Sequence, residues 1–392
     1  MEMSRRSFAL LLLLGVLLRL LLIATSIGTN DVVNWIAFAG LVDRAGIGPA
    51  YARIAELNHP PLALLLLLLL EKLRGVVGLE IGDLLRTLQV AFDLLAAGAL
   101  LDIGRSLGWR SPHGPALFYF LSPVSIFVTG FHGNTDPSMV ALLLGSLALL
   151  LRERPRPLLA GVLFAAAVGI KVVPLLLLPL VLLWRRDRLP FAAGFGIAAG
   201  AIFLPFVATG GTIVLQRIFG YNPQPGNYGL SYLLFALAEG SGNPALRDLL
   251  ERLAAGWNAV ARHAVTAAIG AYSVALALRR ERDGLTLLAG CGTVLLIAMA
   301  LSPGIGMQYF LWPIAFLPFA VSAADRWTLL GVFSVTQFTL YTIWSGGFPW
   351  WFADSTVRQP GINLVWLANL VWFTVIVVTV RAVVRTLRPT PS

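Results

Sequence analysis

Apolar stretches of about 17 to 25 residues recur from one end of the 392-residue chain to the other, separated by short arginine-bearing segments. A water-soluble globule cannot bury that many such stretches. In lipid, each must satisfy its backbone polar groups internally, which favours helices. The expected class is therefore an all-α polytopic membrane protein. Composition agrees: 58% of residues are hydrophobic and 12% are charged, against roughly 25% charged in ordinary soluble domains. The net charge of +10 is not read as nucleic-acid binding, because it resides in arginine clusters bracketed by apolar spans.

Twelve spans fit the pattern, near 7–27, 86–104, 114–131, 137–151, two within 158–184, 190–208, 257–278, 285–301, 308–324, 327–343 and 362–380. The N-terminus resembles a signal peptide, but its long apolar stretch lacks a clear cleavage site and reads as an uncleaved first span. Arg5, Arg6, Arg105, Arg110, Arg152, Arg154, Arg156, Arg185, Arg186, Arg188, Arg279, Arg280, Arg282, Arg326, Arg381, Arg385 and Arg388 fall on one side. The positive-inside rule makes that side cytoplasmic and puts both termini there. The longer segments, including 28–85 and 209–256, then face outward from a single membrane domain covering 1–392. Long loops in a compact membrane protein are usually functional. A bacterial plasma membrane is expected, with the working face extracytoplasmic.

One stretch resists assignment as a span. After Asn58-His59-Pro60-Pro61-Leu62 comes a leucine run that ends at Glu71-Lys72. It reaches only ~13 Å of a bilayer core of ~30 Å. Counting it as a span would also move Arg105 and Arg110 to the outer side. The segment is instead expected to be a juxtamembrane helix in the first outer loop, starting at prolines that cost little in a first helical turn.

Polar residues gather at the outer boundary. Asp31 follows the first span and has two readings, helix N-cap or functional carboxylate. Asp136, before Pro137, has the same two, and it closes a His132-Gly133-Asn134-Thr135-Asp136 cluster. Lys171 is one of only two lysines and sits in an apolar stretch, where an ammonium costs ~2.5–3.5 kcal/mol. It can snorkel to the boundary or neutralise a phosphate. Arg217, Tyr221 and Tyr228 lie in a Pro/Gly-rich segment, and Gln308-Tyr309 opens a later span; interfacial aromatics are also ordinary membrane anchors. Together these groups suit chemistry on an amphiphile with a phosphate-bearing head. The glycine-rich run at 194–200 lies within a span and has no preceding strand, so it is no dinucleotide loop; Gly196 and Gly200 are expected to serve helix packing. Cys291 stands alone in an apolar span, which excludes a disulfide framework.

These residues resemble the GT-C superfamily, membrane glycosyltransferases that use polyprenyl-phosphate sugars. The resemblance is carried in order by Asp31 in GTNDVVNW, by His59-Pro60-Pro61-Leu62, by SPVSIFVTGFHGNTD followed by Gly161, Lys171 and Pro174, and by GMQYFLWPIAFLP. It implies a GT-C fold with juxtamembrane helices in the first loop. It also implies Asp31 as catalytic base of an inverting transfer, with Lys171 and Arg217 neutralising the phosphate leaving group. His59, His132, Asn134, Asp136, Tyr221, Gln308 and Tyr309 would line the substrate pocket. The donor would be a polyprenyl-phosphate hexose, mannose-like, and the acceptor a lipid or cell-envelope glycan. His59 replaces the Lys or Tyr usual before Pro-Pro, and the Asn-Thr-Asp at 134–136 only loosely resembles a metal-binding Asp-x-Asp. No cofactor and no nucleic acid are expected, and metal-independent transfer is favoured. The alternatives are a lipid or oligosaccharide flippase, or a ligase-like transferase using a diphosphate-linked donor.

Overall fold

The computed structural model describes residues 3–184, 188–220, 228–279, 282–345 and 365–388. The described residues are helical throughout, with no strand among them. In chain order the helices are α1 (Arg5–Thr25), α2 (Asn30–Ala45), α3 (Ile47–Arg53), α4 (Pro61–Val77), α5 (Ile81–Ser106), α6 (His113–Phe120) and α7 (Pro123–Phe127). A single π-helical turn (Val128–His132) precedes α8 (Asp136–Leu151), α9 (Pro157–Ile170), α10 (Leu178–Trp184), α11 (Arg188–Gly210) and α12 (Ile213–Phe219). Then come α13 (Gly229–Gly240), α14 (Pro244–Ala277), α15 (Gly284–Leu301), α16 (Leu311–Ile314), α17 (Leu317–Ala320), α18 (Ala323–Trp344) and α19 (Val365–Leu387).

Six described helices are long and apolar enough to cross a membrane: α1, α5, α11, α14, α15 and α19. A seventh arises if α6 and the α7–π segment, bent by 47°, form one broken span. Several of the other expected spans fall on shorter apolar helices, α8 and α9, or on the interrupted stretch holding α16 and α17, while the apolar α13 lies where no span was expected. The 209–256 region, read from sequence as a loop, contains α12, α13 and the first third of α14. Helix α14 starts early because Asn243 caps it, accepting from the amides of Ala245 and Leu246, with Pro244 at the first helical position.

The chain divides into two compact units. The first takes its described residues from Met1–Leu175, Arg186–Tyr221 and Leu340–Arg358. Its α4 begins at Pro61, as the sequence indicates, and ends where Gly78 turns left-handed at φ 74°. Ala63, Leu64, Leu67 and Leu70 are buried on one face. Leu64, Leu67 and Leu70 join Trp35, Phe38, Val42, Tyr51, Leu85 and Val214 in one core. The opposite face exposes Leu65, Leu69, Leu73, Val76 and Val77.

Helices α9 and α11 cross closely. A Cβ on Gly161 would lie 2.1 Å from the Phe191 carbonyl, and one on Gly194 2.0 Å from that of Leu158. This corrects the expectation for Gly196 and Gly200. Gly196 has open space around its Cβ position, and Gly200 meets only a side chain of its own helix.

A buried ion pair ties α1 to α5. Arg19, at the middle of α1, donates to Asp93 on α5 at 2.9 Å, and both are fully buried. Tyr119 and Thr129 donate to the same carboxylate at 2.6 Å, and Arg19 also reaches the carbonyls of Gly15 and Phe120 and the hydroxyl of Ser125. Both charges are therefore compensated, as burial in low dielectric demands.

The second unit, from Leu176–Arg185, Asn222–Thr339 and Gln359–Ser392, is built around α15, whose middle is almost wholly buried. Trp372 donates to the Ala300 carbonyl in the last turn of α15, and the segment after that helix is held by Ser231 to the Pro303 carbonyl and by Gln337 to that of Met307.

Candidate active site

Two loops of the first unit meet edge to edge. Beyond α1, Gly28 takes φ 83° and Thr29 is the N-cap position of α2; the Thr29 hydroxyl donates to the His132 carbonyl at 2.8 Å. Across from it, the π turn ends at Gly133 with φ 73°. A Cβ on Gly28 or on Gly133 would sit within 2.6 Å of the Val32 side chain, so only glycine permits this approach. Single π turns widen a helix locally and often mark functional sites. Arg86, buried on α5, clamps the junction: its guanidinium donates to the carbonyls of Ser26, Ile23 and Gly130 and to the carboxylate of Asp83.

Asp31 is the second residue of α2, not its cap, and its carboxylate turns toward the other loop. Oδ2 accepts from His132 Nε2 at 2.9 Å and from Asn134 Nδ2 at 2.6 Å. The Asn134 amide is held in that orientation because its own oxygen accepts from the Thr135 backbone N–H. Oδ1 has no hydrogen-bond partner among the described residues. Burial pushes the Asp31 carboxyl up. The charge and hydrogen bond of His132, the Asn134 amide and the charge of Lys171 outweigh it and lower the pKa to about 2. The group is thus an anion at any working pH.

Asp136 is likewise not a cap. Thr135 holds the N-cap position, and Asp136, the first residue of α8, sends its carboxylate to Lys171. Helix α9 ends at Ile170; Lys171 is extended, at φ −155° and ψ 139°, which swings its side chain off the helix. The ammonium donates to both Asp136 oxygens at 2.8 and 2.9 Å. Gln89 on α5 accepts from the Ser138 amide in the same turn of α8.

His59 completes the cluster. Its ring lies 4.2 Å from that of Trp35 and 6.1 Å from that of Phe38, and its backbone carbonyl accepts from the Tyr51 hydroxyl. Burial and the charge of Lys171 lower its pKa to about 3 against the opposing charge of Asp31, so the imidazole is neutral.

Asp31, His59, His132, Asn134, Asp136 and Lys171 therefore converge from four separate stretches of the first unit. Arg217 belongs to that unit on α12, packed against α3 and α11, and no contact among the described residues joins it to the cluster. Its buried Nε has no hydrogen-bond partner among the described residues. Tyr221 lies outside the described residues. Gln308 and Tyr309 belong to the second unit, in a 3-10 turn where Tyr309 stacks on Trp312 at 4.1 Å. Among the described residues no three His, Cys, Asp or Glu side chains are grouped as a metal ion would require. Sequence reading missed Arg86, whose signal was an arginine at the very start of an apolar span. It also missed Tyr341 on α18, whose hydroxyl lies 2.9 Å from His132 Nδ1 and which carries no sequence signal of its own.

An anionic carboxylate with one unengaged oxygen, beside a lysine anchored in an apolar surround, is a place where a hydroxyl can be deprotonated next to a phosphate. Comparison with known families gives the class of enzyme. The profile of glycosyltransferase family 87 matches residues 57–303. The chain belongs to glycosyltransferase family 87. This is a GT-C-type family of polyprenyl-phosphate-sugar mannosyltransferases, so the superfamily resemblance is borne out, and the chain is a membrane glycosyltransferase. The matched region contains His59, His132, Asn134, Asp136, Lys171 and Arg217, and begins after Asp31. No curated protein and no solved structure gives a significant match.

Proposed function

We propose that this family 87 glycosyltransferase moves a hexosyl group, mannose-like, from a polyprenyl-phosphate donor to a hydroxyl of a lipid or cell-envelope glycan, with inversion at the anomeric carbon. The observation that carries the reading is Asp31: ionised, held through Oδ2 by His132 and Asn134, with Oδ1 unengaged. The acceptor oxygen attacks the anomeric carbon, its proton passes to Asp31 Oδ1, and the bond from that carbon to the phosphate oxygen breaks with its electron pair leaving on the phosphate. Asp31 is a weak base in the ground state. That suffices, because the acceptor hydroxyl becomes acidic only as its new bond to carbon forms.

The leaving group needs charge compensation more than a proton. Lys171, fixed in place by Asp136, supplies it. The neutral His59 ring, backed by Trp35, offers an apolar face and a hydrogen-bonding edge for the sugar. The arginine distribution supports an extracytoplasmic site with both termini inside. Helix α4, apolar on its exposed face, suits a juxtamembrane helix past which a lipid-borne sugar approaches.

The test is purified protein in detergent supplied in parallel with polyprenyl-phosphate and polyprenyl-diphosphate mannose, with bacterial envelope lipids as acceptor. Release of polyprenyl phosphate from the monophosphate donor, abolished in a folded Asp31→Asn protein, is the expected result. Turnover of the diphosphate donor alone, or full activity of Asp31→Asn, overturns it.

A further inference from the structure

The catalytic carboxylate does not stand on His132 alone. His132 Nε2 meets Asp31 Oδ2 at 2.9 Å, and on the other side of the ring Nδ1 meets the hydroxyl of Tyr341 at 2.9 Å. Tyr341 is fully buried, its ring 5.0 Å from that of Phe131 and 6.3 Å from that of Phe127. All three residues of the chain Asp31–His132–Tyr341 belong to the first unit, although 209 residues separate His132 from Tyr341.

An ionised carboxylate only accepts hydrogen bonds, so the proton between Asp31 and His132 must sit on Nε2. The other nitrogen then needs a partner that suits either state of the ring. In a neutral ring Nδ1 accepts; in a cationic ring it donates. A hydroxyl meets both demands by rotating, whereas a carbonyl or an amide N–H meets only one. We propose that Tyr341 is a positioning residue for the transfer reaction, holding His132 with its Nε2–H on Asp31 so that Oδ1 remains the oxygen presented to the acceptor. This rests on the reading of Asp31 as the base.

Tyr341 reaches the reacting atoms only through His132, which sets what its loss does. Tyr341→Phe keeps the ring packed on Phe131 and removes only the hydroxyl. His132 Nδ1 then loses its bond in a buried site, the imidazole loses its fixed orientation, and Asp31 loses an ordered donor. On this reading Lys171, which meets the donor phosphate, keeps its place on Asp136.

The experiment uses the full-length protein and polyprenyl-phosphate mannose with envelope lipids, in wild type, Tyr341→Phe, His132→Ala, the double variant and Asp31→Asn. Tyr341→Phe is expected to lower kcat about tenfold with KM for the donor within about twofold. In the His132→Ala background the same change is expected to cost almost nothing, because the two act in series. A spectroscopic arm is independent of turnover. In protein with 15N-labelled histidine, the His132 ring resonances, identified by their loss in His132→Ala, are expected to shift in Tyr341→Phe. Wild-type kcat in Tyr341→Phe, additive losses in the double variant, or unmoved His132 resonances would overturn the assignment. An active Asp31→Asn protein overturns the base itself, while the His132 resonances still report on the Tyr341 contact.

Discussion

Lys171 donates to both carboxylate oxygens of Asp136, at 2.8 and 2.9 Å, from the C-terminal end of α9 to the N-terminal end of α8. Each charge stands where its own helix dipole favours it. The carboxylate is fully buried and the ammonium nearly so.

Removing one partner leaves the other charged and unpaired, which typically costs ~3–5 kcal/mol. Lys171→Met is therefore expected to lower thermal stability in detergent sharply, and Lys171→Met with Asp136→Leu to recover most of it. If Lys171 also compensates the leaving phosphate, the recovered double variant stays inactive. A stable and active double variant would reduce the pair to a structural role.

Stability should fall with acid in two windows. His59 is buried neutral with its pKa lowered from 6.5 to about 3, so from about pH 6.5 downward the unfolded chain takes up a proton that the folded protein refuses. Asp31 is lowered from 3.8 to about 2; its contribution is complete above about 3.8 and is lost as the pH falls through about 2. Both slopes have the same sign, with stability rising with pH. Unfolding midpoints measured from pH 7 to 4.5 should drop in wild type and be flatter in His59→Gln; equal slopes would contradict the buried neutral imidazole.

The Arg19–Asp93 pair predicts a second severe site. Asp93→Leu strands a fully buried guanidinium and also removes the acceptor for Tyr119 and Thr129. A loss of ~3–5 kcal/mol is expected. Arg19→Met with Asp93→Leu should be much milder than either single change, a contrast that chemical denaturation can read.

At the α9–α11 crossing, Gly161→Val drives a side chain into the Phe191 carbonyl. Overpacking of this kind costs about 1–3 kcal/mol, and more where the obstacle is backbone. Gly196→Ala, with open space at its Cβ, should be silent. Comparing the yield of folded, monodisperse protein for the two variants checks the assignment.

Much of the site was legible in the chain itself. Asp31, His59, His132, Asn134 and Asp136 border apolar stretches and Lys171 lies within one, where a polar group is costly and conspicuous, and the structure brings all six into the candidate site. The two aspartates were ambiguous for a physical reason. Residues at a helix start are good caps and good site residues alike, and only the direction of the carboxylate tells them apart. Thr29 and Thr135 hold the cap positions, leaving both carboxylates to reach across to His132 and Lys171. Tyr341 could not be seen at all, since a tyrosine in an apolar helix usually serves as a membrane anchor.

The sequence by itself determined the helical membrane class and the proline-started leucine helix α4, and it singled out the polar residues that punctuate the apolar stretches. These follow from local hydrophobicity and backbone chemistry, which a short window of residues already contains. The tertiary structure decided which charges meet: Lys171 with Asp136, Arg19 with Asp93, and Tyr341 behind His132. Those pairings depend on helix rotation and on approaches within 3 Å between stretches 35, 74 and 209 residues apart. No periodicity within one helix encodes such a meeting; it is set by how the faces of several helices pack at once.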